Sequence, residues 1–331
     1  MNCNCGSQVG AEDVERDRYV SVDGMLSYAE KERACEIAFM ENGPFWHVYT
    51  DGTRMGDIFS TEEDFKLGMT LLAVCAILYP AAELITFELM NNHLHLIMRG
   101  SREDCLEFFK RFKIRLRRIF INTGHVVDWD SFNSEILPIE TLKDLRNEII
   151  YVNRNAYVAN PRYTPYNYPW GAGWVYFLPI VELLPGRTVP EVGIGKVREL
   201  THYRDVYDLT SLKFIGDVPL VSSFCRTDIG ERMFQDPRSY LYLLTRNAES
   251  MGQIAERLKD TVFLTNDELY GIAVKIATDD YSAKLSLLTP EQKVELARKL
   301  HYKYKASNYL LRRVLKLDIS VLNEMFPHGC P

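Results

Sequence analysis

The stretch Glu83–Gly100, ELITFELMNNHLHLIMRG, decides how the chain is read. Ala82–Met90 and His93–Gly100 are both rich in aliphatic and β-favouring residues, and only Asn91-Asn92 lies between them. A two-residue connection of that composition signals a hairpin, because Asn tolerates positive φ. A period of two then places His93 and His95 on one face of the second strand, with Leu94 on the other face, in the core.

Upstream, PFWHVYT (Pro44–Thr50) reads as a strand closed by Asp51-Gly52, and Gly24–Asn42 as a short helix. Thr61-Glu62-Glu63-Asp64 opens a densely apolar helical run that stops before Pro80. Downstream, Ser101-Arg102-Glu103-Asp104 caps a helix whose Leu106, Phe109, Phe112, Leu116 and Ile119 form one apolar stripe. A loop around Asp128–Pro138 follows, then a helix from Glu140 to Tyr157 that ends before Pro161, Pro165 and Pro169. Residues 44–157 thus read βα, ββ, αα, which predicts an α+β fold: a ferredoxin-like (split βαβ) layer with an antiparallel sheet.

The spacing divides the rest. Residues 1–43 read as a polar tail and short helix, 44–173 as one domain, and the Pro-, Gly- and aromatic-rich span 174–236 as a linker or lid subdomain. Residues 237–331 read as all-helical. There ELARKLHYKYK, NYLLRRVLKL and ISVLNEMF suggest three short helices with a tight turn between the last two, as in a helix-turn-helix. A plain helical bundle fits the same pattern.

A chain of 331 residues with 47% hydrophobic and 25% charged residues is an ordered globular protein of two or three domains. It has no apolar run of about 18 residues and no basic, then apolar, leader, so the expectation is a cytoplasmic protein without a membrane span. Seven scattered cysteines read as reduced thiols, and Cys3 and Cys5 lack the second close pair that a structural metal site needs. The net charge of −6 argues against a general polyanion binder, but two segments are locally basic. Arg102–Ile121 carries Lys110, Arg111, Lys113, Arg115, Arg117 and Arg118, and Thr289–Leu317 carries Arg298, Lys299, Arg312 and Arg313. Such runs suit nucleic-acid backbones, and they also occur as solvated helix faces.

His93 and His95 on one strand face suit a metal, although two histidines alone also suit an ordinary polar face. Tyr151 and Asn155 are one helical turn apart and share a face, so Tyr151 would be a nucleophile and Asn155 a ligand; ring packing explains the tyrosine equally well.

The combination goes further. FELMNNHLHLIMRG (87–100), YVNRNAYVAN (151–160) and YPWGAG (168–173), with PFWHVYTDG (44–52) as first strand, resemble the single-tyrosine HUH transposases, specifically the REP-associated tyrosine transposase group. The resemblance covers about residues 44–173, two fifths of the chain. It implies that His93 and His95 are the metal-binding HUH pair, Asn155 the third ligand and Tyr151 the nucleophile, with Mg²⁺ or Mn²⁺ as cofactor. It further implies an HUH endonuclease acting on single-stranded or hairpin DNA in DNA transposition and recombination, through a 5′-phosphotyrosine link. Asn91 and Ala156 stand where the family usually has Pro, and Gly171-Ala172 where it has two serines; no catalytic group is lost. A non-catalytic DNA-binding or regulatory protein retaining the HUH fold is the alternative. A metal-dependent hydrolase or RNA-binding module without a tyrosyl intermediate is a third reading. Whether the site is built in one chain or across a homodimer is left open.

Overall fold

Four strands, β1 (Phe45–Thr50), β2 (Glu83–Leu89), β3 (Leu94–Arg99) and β4 (Ser134–Ile139), lie in the order β2-β3-β1-β4 with every neighbouring pair antiparallel. This is a computed structural model; it describes residues 26–327 apart from 53–55, 160–162, 165, 179–183, 247–253, 255–257, 259–265 and 305. The fold is α+β with antiparallel sheets. The hairpin forms in the expected register, Leu89 opposite Leu94, and the Met90 N–H donates to the His93 carbonyl at 2.8 Å. Its turn chemistry differs from expectation, because neither Asn91 nor Asn92 adopts positive φ. The asparagines anchor a neighbouring loop instead: the Asn91 carbonyl accepts from Ile58 and Phe59 at 2.6 and 2.9 Å, and Asn92 Nδ2 donates to the Gly52 carbonyl at 2.8 Å.

Strand β4 corrects the reading of residues 128–138 as loop. It is an edge strand with β1 as its partner, where Pro138 is tolerated and burial is incomplete, so it lacks the apolar alternation that marks a strand in sequence. With β4 in place the topology follows. Helix α1 (Tyr28–Asn42) precedes β1, α2 (Glu62–Leu78) links the parallel β1 and β2 around β3, α3 (Arg102–Thr123) links β3 and β4 around β1, and α4 (Leu142–Ala159) follows β4. Right-handed crossovers put α2 and α3 on one face. Consistent with this, a Cβ on Gly68 of α2 would stand 3.1 Å from Leu89 Cδ1, and the Phe59 ring meets both Phe65 of α2 and Phe120 of α3. Helix α4 covers the opposite face, held from outside by α1 through a forked ion pair, Arg146 to Glu32 at 2.8 and 3.0 Å.

The outer edge of β2 is occupied by later chain. Leu89 N–H donates to the Trp170 carbonyl and Ala172 N–H to Phe87, both at 2.9 Å, and Arg226 N–H reaches Leu84 at 2.7 Å. Between these bonds runs the stretch unassigned from sequence. It builds β5 (Arg187–Thr188), α5 (Val189–Val192), α6 (Ile194–Thr201), β6 (Lys213–Ile215) and β7 (Val218–Pro219), the strands forming a small antiparallel sheet. Then α7 (Thr227–Glu231) and α8 (Pro237–Arg246) follow. Helix α6 packs on α2 and α8 on α4, and Val197, Phe214, Phe234 and Tyr240 join the same buried core as the four-stranded sheet.

A second core belongs to α9 (Asn266–Tyr281), α10 (Pro290–Tyr304), α11 (Asn308–Leu315) and α12 (Ile319–Met325), through Leu269, Leu296, Leu300, Leu311, Leu322 and Phe326. Lys316 turns the chain with φ 57°, and Asp318 caps α12, its carboxylate accepting from Ser320 N–H at 2.8 Å. No helix among the described residues is long and apolar enough to cross a membrane. The described cysteines Cys35, Cys75, Cys105 and Cys225 are buried free thiols, and burial pushes Cys75 and Cys105 up to about 12. Cys3, Cys5 and Cys330 lie outside the described residues.

Asp64 at the start of α2 is only 4% exposed. It accepts from Ser60 and Thr61 N–H at 2.9 Å each and meets His125 Nε2 at 2.8 Å. Burial alone would raise its pKa; the Thr61 and Ser60 hydrogen bonds and His125 outweigh that and hold it below the ordinary carboxylate range. A group depressed in the folded state stabilises it above the unfolded pKa of about 3.9, and the gain vanishes as pH falls through the lower folded value. Asp64→Ala is therefore expected to cost about 2 kcal/mol in urea unfolding at pH 7, with a clearly smaller difference at pH 3.

Candidate functional site

Pairing registers decide which side chains share the α4 face. Tyr49 lies opposite His95 and Glu135, and Glu88 lies opposite His95 from the other side, so these four belong to one face with His47 and His93. On α4 every residue from Glu148 to Asn155 is buried, which places four polar or charged residues, Glu148, Asn153, Arg154 and Asn155, and also Tyr151, in the interior. Such groups stay buried only when hydrogen bonds replace water.

The bonds form a chain. Glu148 Oε2 meets His47 Nδ1 at 2.8 Å, and His47 Nε2 meets His95 Nδ1 at 3.0 Å, with Glu148, His47 and His95 sealed from solvent. A carboxylate accepts, so His47 donates from Nδ1. In neutral His47 the Nε2 lone pair then accepts from His95 Nδ1–H, and His95 presents its own Nε2 lone pair away from the chain. His93 is fixed in the same sense: its Nδ1 lies 2.7 Å from Asn92 Oδ1, an acceptor, which assigns the lone pair to Nε2. Both histidines thus carry the tautomer that binds cations through Nε2, oriented from behind as metal-binding histidines are. Gly52 stands close by; a Cβ there would come within 2.8 Å of His93 Nδ1.

The tyrosine joins this cluster. The Tyr151 ring centroid lies 5.4 Å from His95 and 6.5 Å from His47, and the His93 and His95 rings are 5.0 Å apart. Asn155, one turn beyond Tyr151, is 5% exposed, and its Nδ2 has no hydrogen-bond partner among the described residues. A half-turn of that amide exchanges nitrogen for oxygen, a donor that a cation would satisfy. Among the described residues no three His, Cys, Asp or Glu side chains gather in a way that would hold a metal. The two imidazoles stand together beside Tyr151, with Asn155 one turn further along α4.

His47 and Glu148 were not singled out from sequence, although the signals exist. His47 interrupts an otherwise aromatic face, Phe45, His47, Tyr49, and Glu148, Tyr151 and Asn155 fall at i, i+3 and i+7 on α4. Asn153 was missed too; it accepts from the Thr86 hydroxyl and donates to the Tyr240 hydroxyl at 3.0 Å, tying α4 to β2 and α8.

The expected backbone-binding residues lie elsewhere. Lys110, Arg111, Lys113, Arg115, Arg117 and Arg118 are on α3, across the sheet from Tyr151, and they divide between two flanks. Lys110 sits 3.6 Å from Glu107 and Lys113 donates to Asn133 at 2.8 Å. Arg298, Lys299, Arg312 and Arg313 are exposed on α10 and α11, where Lys299 pairs with Asp280 at 2.8 Å and Arg313 lies over the Tyr309 ring at 5.7 Å.

Compared with known protein families, curated proteins and solved structures, the chain matches none.

Glu148→Ala is expected to destabilise the fold by about 3 kcal/mol, because His47 loses the carboxylate that accepts from its Nδ1 inside a dry layer. Glu148→Gln retains an acceptor for His47 Nδ1–H and should cost less than half of that, read in paired denaturant titrations.

Proposed function

We propose that the chain is a metal-dependent, HUH-type tyrosine transposase or nickase-ligase that cuts and rejoins single-stranded or hairpin DNA. The observation that carries this reading is the contact of the Tyr151 ring with His95, beside His93 on the same strand face. The strand order β2-β3-β1-β4 with two interleaved crossovers supports it, being that of a ferredoxin-like layer. The tight turn between α11 and α12 supports a helix-turn-helix in the C-terminal unit, although α12 carries Glu324 and no basic residue.

His93, His95 and Asn155 would hold Mg²⁺ or Mn²⁺, and two imidazoles favour Mn²⁺ as the better-bound ion. Bound there, the cation would polarise the phosphodiester and stabilise charge that develops on it. The chain's own residues do the rest. Tyr151 attacks phosphorus through its phenolic oxygen, forming a Tyr–O–P bond as the P–O3′ bond breaks; the phenolic proton is lost and O3′ gains one. The product is a 5′-phosphotyrosine and a free 3′-hydroxyl, which retains bond energy for strand joining. Glu148 and His47 hold the His95 ring in place, and all three side chains are closed off from solvent.

One observation favours the alternative, a DNA-binding or regulatory protein that keeps the fold without the chemistry. Tyr151 is 5% exposed, so its hydroxyl is little open to a strand. Incubation with labelled hairpin DNA and Mn²⁺ separates the two. A denaturing gel should show a covalent protein–DNA adduct with the wild-type chain and none with Tyr151→Phe; binding without any adduct favours the regulatory reading. His95→Ala should weaken Mn²⁺ binding at least about tenfold by calorimetry, and Glu148→Ala about 10–100-fold.

A further inference from the structure

We propose that a groove between α3 and the turn after α6 binds a phosphodiester backbone, on the side of the sheet away from Tyr151. This deepens the DNA-processing reading and rests on it for the choice of nucleic acid as the polyanion. The groove has a volume of about 360 Å³ and is walled by Arg111, Arg115, Arg118 and Ile114 of α3, by Tyr79, and by His202, Tyr203 and Arg204. Four guanidinium groups and no carboxylate line it, in a chain whose net charge is −6.

The arginines are ordered. Arg111, Arg115 and Arg118 recur at i, i+4 and i+7, forming one flank of the helix beside the buried stripe of Phe108, Phe112 and Leu116. At 1.5 Å per residue they span roughly 10 Å along the axis, more than one phosphate occupies and enough for consecutive phosphates of one strand. Aromatic rings brace two of them: Arg111 lies over Tyr79 at 5.7 Å and Arg115 over Tyr203 at 5.2 Å. A braced guanidinium presents its N–H groups in a fixed fork, the geometry that suits phosphate oxygens. Arg111 also pairs with Glu107 at the helix's N-terminal end, and the Tyr203 hydroxyl donates to Asp208 at 2.7 Å, so Glu107 and Asp208 are the carboxylates held at the margins. His202, in the left-handed conformation at φ 47°, lines the groove; burial and then Arg118 hold its pKa below the ordinary imidazole value. The second wall comes entirely from residues 202–204, so the stretch between the two β2-edge contacts acquires a role. Tyr79, Tyr203 and the half-exposed Ile114 offer surfaces for sugars and bases beside the backbone.

The test is fluorescence anisotropy with a labelled 20-nucleotide single strand and a labelled hairpin, read across a salt series. Arg115→Gln/Arg118→Gln should raise Kd roughly tenfold and flatten the slope of log K against log salt by about 1.4 for the single strand. Lys31→Gln/Lys143→Gln, an equal loss of charge elsewhere, should change Kd less than twofold. An unchanged Kd and slope in the arginine variant, or displacement of the oligonucleotide by inorganic phosphate at low millimolar concentration, would overturn the proposal, the latter assigning the groove to a small anion. Circular dichroism melts check that the substitutions at half-buried Arg115 and exposed Arg118 leave the fold intact. The two readings fail separately: arginine-dependent binding without an adduct removes the catalytic reading alone, and an adduct with arginine-independent binding removes the groove alone.

Discussion

Glu148 and His47 meet between α4 and the sheet with both side chains sealed from water, and that contact sets where α4 lies. A buried carboxylate without a partner costs several kcal/mol, so a helix rotated or shifted by one residue would strand it. The same contact therefore fixes Tyr151, three residues on, over the ring of His95. Asn153 adds a second tie through Thr86 and Tyr240. Polar bonding thus sets the rotation of α4, while Leu145, Ile149, Ile150 and Val152 supply the apolar burial that makes docking favourable.

The hairpin, α2, α3 and α4 were legible because each has a short-range signature: alternation around Asn91-Asn92, capping at Thr61 and Ser101, an apolar stripe in α3. The missing strand was β4, whose pairing with β1 is long-range and whose edge position removes the apolar signal. Residue type and period marked His93, His95, Tyr151 and Asn155 only as candidates that ordinary packing also explained, and it was the family resemblance that joined them. His47 and Glu148 could not be joined from residue type and period, since 101 residues separate them and their meeting depends on which face of the sheet α4 covers. The asparagines of the turn teach a related lesson: their composition marked the turn correctly, but their side chains and carbonyls serve the neighbouring loop rather than a left-handed backbone.

The two faces of the sheet carry different chemistry. One gathers polar and charged hydrogen-bonding groups in a dry layer around Tyr151, where charge is costly and geometry is tightly held. The other carries the α3 guanidiniums at the surface, where charge acts over distance and salt weakens it. Separation keeps the α3 guanidiniums from perturbing the imidazoles. The span around residues 184–226, which crosses from one face to the other past β2, is the physical link between them.

The closure of β2 has a temporal consequence. Its outer backbone groups receive partners from Trp170, Ala172 and Arg226, all of which leave the ribosome well after β2 and β3. At about 5–20 residues per second, the last of them trails Leu89 by roughly 7–30 s. Until residues 170–172 emerge the nascent sheet ends in an open strand, Glu83–Leu89, of largely apolar composition, and its Leu84 end waits for Arg226. Exposed edges of this kind template pairing with other chains. Crowded synthesis therefore favours aggregation at this strand, and a holdase that shields it until residue 226 emerges would raise the yield of folded protein without altering its final stability.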